Sequence, residues 1–167
     1  MEILNDMDYK KGPNMKMQCI PISMAEANDF ILKLHRHSKK VRGCKFCLGA
    51  LKNDKLVGIL VLGRPVARKL DNRYTAEILR TCSDGTKNVN SFLYAKAWNI
   101  WQLMGGNKII TYTLQKESGI SLNACGFEKE AVTQPFKKGK GWTTRPGREW
   151  QEKVHSEIKY RWCKKNY

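Results

Sequence analysis

The stretch from Thr75 to Phe92 constrains this chain more than any other. It reads Thr-Ala-Glu-Ile-Leu-Arg-Thr-Cys-Ser-Asp-Gly-Thr-Lys-Asn-Val-Asn-Ser-Phe. Ala76 to Cys82, with Ile78 and the β-branched Thr81, suits a short strand. Ser83 to Asn90 is all turn chemistry. From Ser91 to Met104, Phe92, Ala95, Ile100 and Leu103 recur at roughly helical spacing beside Trp98 and Trp101, which predicts a helix. A strand, a polar turn and a helix N-terminus in that order can make an anion site. The first backbone N–H groups of a helix lack partners, and its dipole places partial positive charge there. Asn90 or Ser91 is expected as the N-cap, and Lys87 adds a full charge. The same stretch also serves as an ordinary strand-to-helix connection.

Lys108 to Leu114 reads as a second strand, and Gln115 to Cys125 as a short helix stopped by Gly126-Phe127. In this order the elements resemble the core of the GNAT superfamily of N-acyltransferases. The resemblance implies an α/β fold of the α+β type. Its sheet is mixed, mostly antiparallel, flanked by helices and split between two central parallel strands. It also implies acetyl-CoA or another acyl-CoA as cofactor. The family's Gln/Arg-x-x-Gly-x-Gly/Ala turn, whose amides hold the coenzyme A pyrophosphate, falls on Gly85-Thr86-Lys87-Asn88-Val89-Asn90, followed by Ser91. Gly85 stands where the family has Gln or Arg, and Asn88 and Asn90 stand where it has glycine or alanine. Asn is the non-glycine residue that best tolerates a left-handed backbone. The span from Ala25 to Phe127, about three fifths of the chain, is also similar to a small GNAT-like family of bacterial and phage genomes. Its marks here are His35-Arg36-His37-Ser38, Gly63-Arg64-Pro65-Val66-Ala67-Arg68 and Thr111-Tyr112-Thr113-Leu114. That family is similar to the Mom-type phage DNA-modification proteins.

The resemblance assigns roles residue by residue. A backbone N–H within Leu79 to Cys82 would meet the thioester carbonyl, bringing Leu79 and Thr81 to the cofactor. Glu77 is the base candidate; its other reading is a salt bridge with Arg80 or Arg68. The family's usual acid, a Tyr, falls on Leu122, so Tyr112, Ser118 or a water would replace it. The family's Asn at the start of the last helix falls on Gln115, which can still hydrogen-bond the pantetheine.

At 167 residues one domain is expected, with Met1 to Gln18 a loose leader and residues 137–167 a basic loop and a final edge strand. No run is apolar enough to span a membrane and no signal peptide is evident, which predicts a cytoplasmic protein. The formal charge of +16 argues for an anionic partner, with nucleic acid, DNA or tRNA, foremost. Six cysteines without a secretory signal are expected to be reduced and partly buried. Cys44-Lys-Phe-Cys47 invites a zinc reading with His35 and His37. Placed on a strand, however, residues three apart face opposite sides, and no metal site is expected.

In chain order, Cys19 to Ile22 would be a first strand. Ser23 and Glu26 would then form a capping box for a helix burying Ala27, Phe30, Ile31 and Leu34. That helix runs into a basic end, Lys33 to Arg42, where His35 or His37 can move a proton near neutral pH. Lys45 to Leu51 and Lys55 to Leu62 read as a hairpin around Lys52-Asn53-Asp54, the second strand apolar enough to be central. Arg64, Arg68, Lys69 and Arg73 form a second basic cluster. Ala131 to Phe136 could be a strand, and Lys137 to Arg148 is a basic loop with Trp142 and Arg145. Glu157 to Cys163 is the expected edge strand, its Ile158, Tyr160 and Trp162 packing on the core. The three basic clusters are expected to converge on one acceptor mouth and to grip a polyanion through His35, Arg36, Arg64, Arg68, Trp142 and Arg145. Two readings follow. One is an acyl-CoA-dependent transferase acting on a nucleic-acid-linked amine, with aminoacyl-tRNA or a small molecule as other acceptors. The other is a GNAT-shaped binding protein without turnover.

Overall fold

A computed structural model of the chain describes residues 16–34, 40–135 and 155–166. Strand β1 is Gln18–Ile22 and helix α1 is Met24–Leu34. The helix starts at the expected capping box. The Ser23 amide donates to Glu26 Oε2 at 2.7 Å and the Glu26 amide to Ser23 Oγ at 3.2 Å. Ala27 and Ile31 are buried, whereas Leu34, expected on that face, is 45% exposed. Strands β2 (Phe46–Lys52) and β3 (Lys55–Gly63) form the expected hairpin. Asn53 and Asp54 both take positive φ, 51° and 59°, as a two-residue turn matched to strand twist requires. There follow a 3₁₀ turn at Arg68–Leu70, β4 (Thr75–Ser83), α2 (Val89–Leu103), β5 (Lys108–Leu114), α3 (Ile120–Asn123), β6 (Glu128–Thr133) and β7 (Lys159–Lys165).

Among the described residues, seven strands make one sheet in the order β1-β2-β3-β4-β5-β7-β6. Every neighbouring pair is antiparallel except β4 and β5, which are parallel. The mixed, mostly antiparallel architecture is therefore the one expected. One face packs Ile59, Val61 and Cys47 on Ala27 and Ile31 of α1. The other packs Leu60 and Leu62 on Leu93, Trp98 and Trp101 of α2. Strand β3 is buried on both faces, as its unbroken apolar run demands.

Four further expectations need correction. The last strand is not an edge: β7 lies between β5 and β6, and β6 is the outer strand. The charged positions of β7 are matched by a neighbour, Arg161 Nε reaching Glu130 Oε2 at 2.8 Å, while Trp162 is buried and donates to Thr113 Oγ1 at 2.8 Å. The helix expected over Gln115–Cys125 shrinks to Ile120–Asn123. Glu117 Oε2 accepts from the Leu114 amide at 2.6 Å in a turn, and Gly119 takes φ 65° against the Trp162 ring, where a Cβ would stand 2.3 Å away. In α2 the buried stripe is Val89, Leu93, Ala97, Trp98 and Trp101, and Leu103 is 88% exposed. Finally, β2 begins at Phe46, so Cys44 lies before it and strand alternation does not part the two thiols; Cys44 Sγ and Cys47 Sγ are 3.6 Å apart.

Candidate active site

Strands β4 and β5 pair through three positions only: Thr75 with Lys108, Ala76 with Ile109, and Glu77 with Ile110. Trp101 clasps this closed end. Its Nε1 donates to the carbonyls of Tyr74 at 3.1 Å and Lys108 at 3.0 Å, and its ring fills the space a Cβ of Gly106 would need. Thr111 Oγ1 donates to the Ile78 carbonyl at 3.3 Å as a last link. Beyond it Leu79 bulges: Leu62 pairs with Ile78 and Val61 with Arg80, leaving Leu79 without a register partner. Gly63 makes the bulge possible, because its missing Cβ would lie 2.4 Å from Leu79 Cδ1. A bulge bends its strand, while β5 stays paired with β7 over its whole length. A wedge therefore opens between Leu79–Ser83 and Tyr112–Leu114, where the split was expected.

At the end of β4 the chain turns through Gly85 at φ 94° and Asn88 at φ 66°. The N-cap is Asn88, not Asn90 or Ser91, which lie inside the first turn with Val89. Two contacts set the earlier start. The Thr86 amide donates to Asp84 Oδ1 at 2.9 Å, and Val89 is buried against Gly58, where a Cβ would meet it at 2.3 Å. The amides of Gly85, Lys87, Asn88, Asn90 and Ser91 find no backbone acceptor among the described residues. Asn90 Oδ1 is buried without a donor, and Lys87 is exposed beside the turn. Unpartnered amides at a helix start, with a lysine alongside, suit a phosphate. The flank of the turn away from the wedge is a shallow pocket of about 500 Å³ lined by Lys16, Lys52, Lys87 and Phe92 among others.

Glu77 sits at the closed end of the wedge and is 7% exposed. Its Oε2 accepts from the Val66 amide at 2.8 Å, not from Arg80 or Arg68. Burial pushes its carboxyl up to about 7, against the pull of that amide. Tyr112 is half-buried. Burial raises its phenol, its bond to Arg161 opposes this, and the charge of Glu77 raises it further. Arg64 and Arg68 are exposed on the loop that Val66 ties to Glu77. Gln115 and Ser118 are exposed just past β5, and Leu122, at the family's acid position, is core hydrocarbon. His35, Arg36, His37, Trp142 and Arg145 lie outside the described residues, as do residues 35–39 of the first basic cluster and the whole of the third. One residue at the wedge was missed. The Tyr94 phenol is raised by burial, with the nearby Thr81 hydroxyl on the wedge wall pulling the other way. Its helical spacing with Ala97, Trp98 and Trp101 was the available signal.

By sequence, no protein-family model and no curated protein matches the chain. Solved structures do match its architecture. An acetyltransferase of Bacillus subtilis in complex with CoA superposes with a TM-score of 0.64 at 19% identity, covering 91% of this chain and 100% of the other. A GNAT-family acetyltransferase of Streptococcus pneumoniae gives 0.59 at 11% identity, over 91% and 100%. The ribosomal-protein-S18-alanine N-acetyltransferase of Escherichia coli gives 0.62 at 7%, over 89% and 92%. The chain has the GNAT fold. Within that GNAT fold, Glu77, the Leu79 bulge and the amide-lined turn follow one another along β4. Identities this low carry the backbone and not the side chains, so the assignment of site residues rests on this chain's own geometry.

Proposed function

We propose that the protein is an acyl-CoA-dependent N-acyltransferase whose acceptor is an amine carried on nucleic acid. The observation that supports this best is the wedge, with a buried carboxyl at its closed end and unpartnered amides at its open end. Acetyl-CoA, when bound, supplies an acyl group activated as a thioester. The residues present fit such a molecule. The amides of Gly85, Lys87, Asn88, Asn90 and Ser91 and the Lys87 ammonium would hold its phosphates. The Thr81 hydroxyl, buried and without a hydrogen-bond partner among the described residues, and the unpaired edges of β4 and β5 would hold the arm between. Glu77, titrating near 7, can accept the amine's proton near neutral pH. Tyr112 keeps its proton at that pH and stands within range of Glu77's charge.

The acceptor follows from charge. Arg64 and Arg68 lie on the loop fixed to Glu77, in a chain of net charge +16, which favours a polyanion at the acceptor side. A base in DNA, modified in the manner of the Mom-type proteins, is the first acceptor to try, with aminoacyl-tRNA second. Calorimetry with acetyl-CoA, followed by transfer of labelled acetyl to duplex DNA and to aminoacyl-tRNA, tests both halves. Absence of acetyl-CoA binding removes the transferase reading; binding without transfer to either polymer removes the nucleic-acid acceptor alone.

A further inference from the structure

We propose that Cys44 and Cys47 are a redox-modification site, which a disulfide oxidant closes into a disulfide that clamps the segment before β2. The proposal stands apart from acyl transfer and rests on the geometry of this pair. The two Sγ atoms are 3.6 Å apart. A disulfide bond is about 2.05 Å long, so closure needs a movement of roughly 1.5 Å. Cys47 is held on both sides, pairing with Ile22 of β1 and Val61 of β3, and its thiol is buried against α1. Cys44 is exposed and lies outside the ladder, whose nearest bond runs from the Lys45 amide to the Leu62 carbonyl at 2.7 Å. Upstream, the Asn28 side chain holds Val41 through two bonds, of 3.0 and 2.8 Å. Arg42, Gly43 and Cys44 thus lie between two fixed points and can supply the movement.

Exposure sets the order of events. Cys44 loses its proton to solvent, and its thiolate attacks one sulfur of a disulfide oxidant such as glutathione disulfide. A Cys44–glutathione mixed disulfide forms and one glutathione thiolate leaves. The Cys47 thiolate then attacks Cys44 Sγ, the Sγ–Sγ bond forms, and the second glutathione leaves. Two protein thiols lose two electrons, and one glutathione disulfide becomes two thiols. The second step is the slow one, because the Cys47 thiol is buried and burial raises it above the ordinary thiol range. The clamp bears on the wedge. The Gly43 carbonyl lies 3.6 Å from the Cβ position of Gly63, and Gly63 pairs with Glu77.

The test is a thiol map of the full chain in glutathione buffers of stepped oxidised-to-reduced ratio, quenched by acid and alkylated. The expected product is a peptide containing both residues, two hydrogens lighter than its reduced form and closed to alkylation. Cys44→Ser should leave Cys47 alkylable throughout, and Cys47→Ser should stop at the mixed disulfide on Cys44. Amide exchange over residues 42–46 should slow in the oxidised chain. Wild-type protein that stops at the mixed disulfide, that links Cys44 to a second copy, or that keeps both thiols alkylable in glutathione disulfide alone would overturn the proposal.

Discussion

Glu77 owes its chemistry to its place on β4. A carboxyl ordinarily near 4.5 is moved to about 7 by burial, while one amide hydrogen bond pulls the other way. In the transferase reading, kcat should rise as pH rises through about 7 and the carboxylate forms. Glu77→Gln should abolish that rise and lower kcat by about 10²–10⁴-fold, with acetyl-CoA affinity unchanged by calorimetry. The same shift affects stability. Between its ordinary value and about 7 the folded state holds a proton that the unfolded state has released, so this group's contribution to stability falls as pH rises through that window. Glu77→Gln should therefore exceed the parent in urea stability at about pH 8 by on the order of 3 kcal/mol and match it near pH 4. Glu77 was legible as a base candidate only through resemblance. Nothing in Gly63 to Arg68 announces that the loop folds back to give Glu77 its Val66 partner, so its burial was not legible.

At the scale of elements, the turn after β4 was recognisable from its composition, but the helix start was not. Asn88 rather than Asn90 holds the left-handed position, because burial of Val89 against Gly58 draws the helix two residues earlier. Asn88→Val should cost about 1–3 kcal/mol of stability and weaken acetyl-CoA binding, since a β-branched residue resists positive φ, whereas Asn88→Gly should keep both. Thermal unfolding and calorimetry on the two variants measure this. The closed end of the wedge depends on the clasp by Trp101. Gly106→Ala would drive a Cβ to 2.1 Å from the indole and should destabilise by about 1–3 kcal/mol in urea unfolding. The apolar-periodic α2 predicted a buried tryptophan; which two carbonyls its N–H would join depended on where β4 and β5 begin.

For the whole molecule the dominant quantity is charge. Binding to duplex DNA should weaken steeply with salt, and changing Arg64 and Arg68 together to Ala should reduce the slope of log affinity against log salt by about 0.9 for each phosphate that is no longer neutralised. Acetyl-CoA affinity should not change; fluorescence anisotropy over a salt series measures the first effect and calorimetry the second. No helix among the described residues is long and apolar enough to cross a membrane. The sequence by itself determined the β2–β3 hairpin, the central place of β3, the capped α1, the strand–turn–helix around Gly85 and the basic charge. These are set by residue periodicity, turn chemistry and composition, all of which act over a few neighbouring residues. Only the tertiary structure decided that β7 inserts between β5 and β6, that β4 and β5 share just three pairs, that Glu77 is buried and that Cys44 meets Cys47. Each of these turns on contacts between distant segments: Arg161 with Glu130, Trp162 with Thr113, Val66 with Glu77 and Lys45 with Leu62. Such contacts exist only once the chain has folded, because neither partner's local sequence specifies the other.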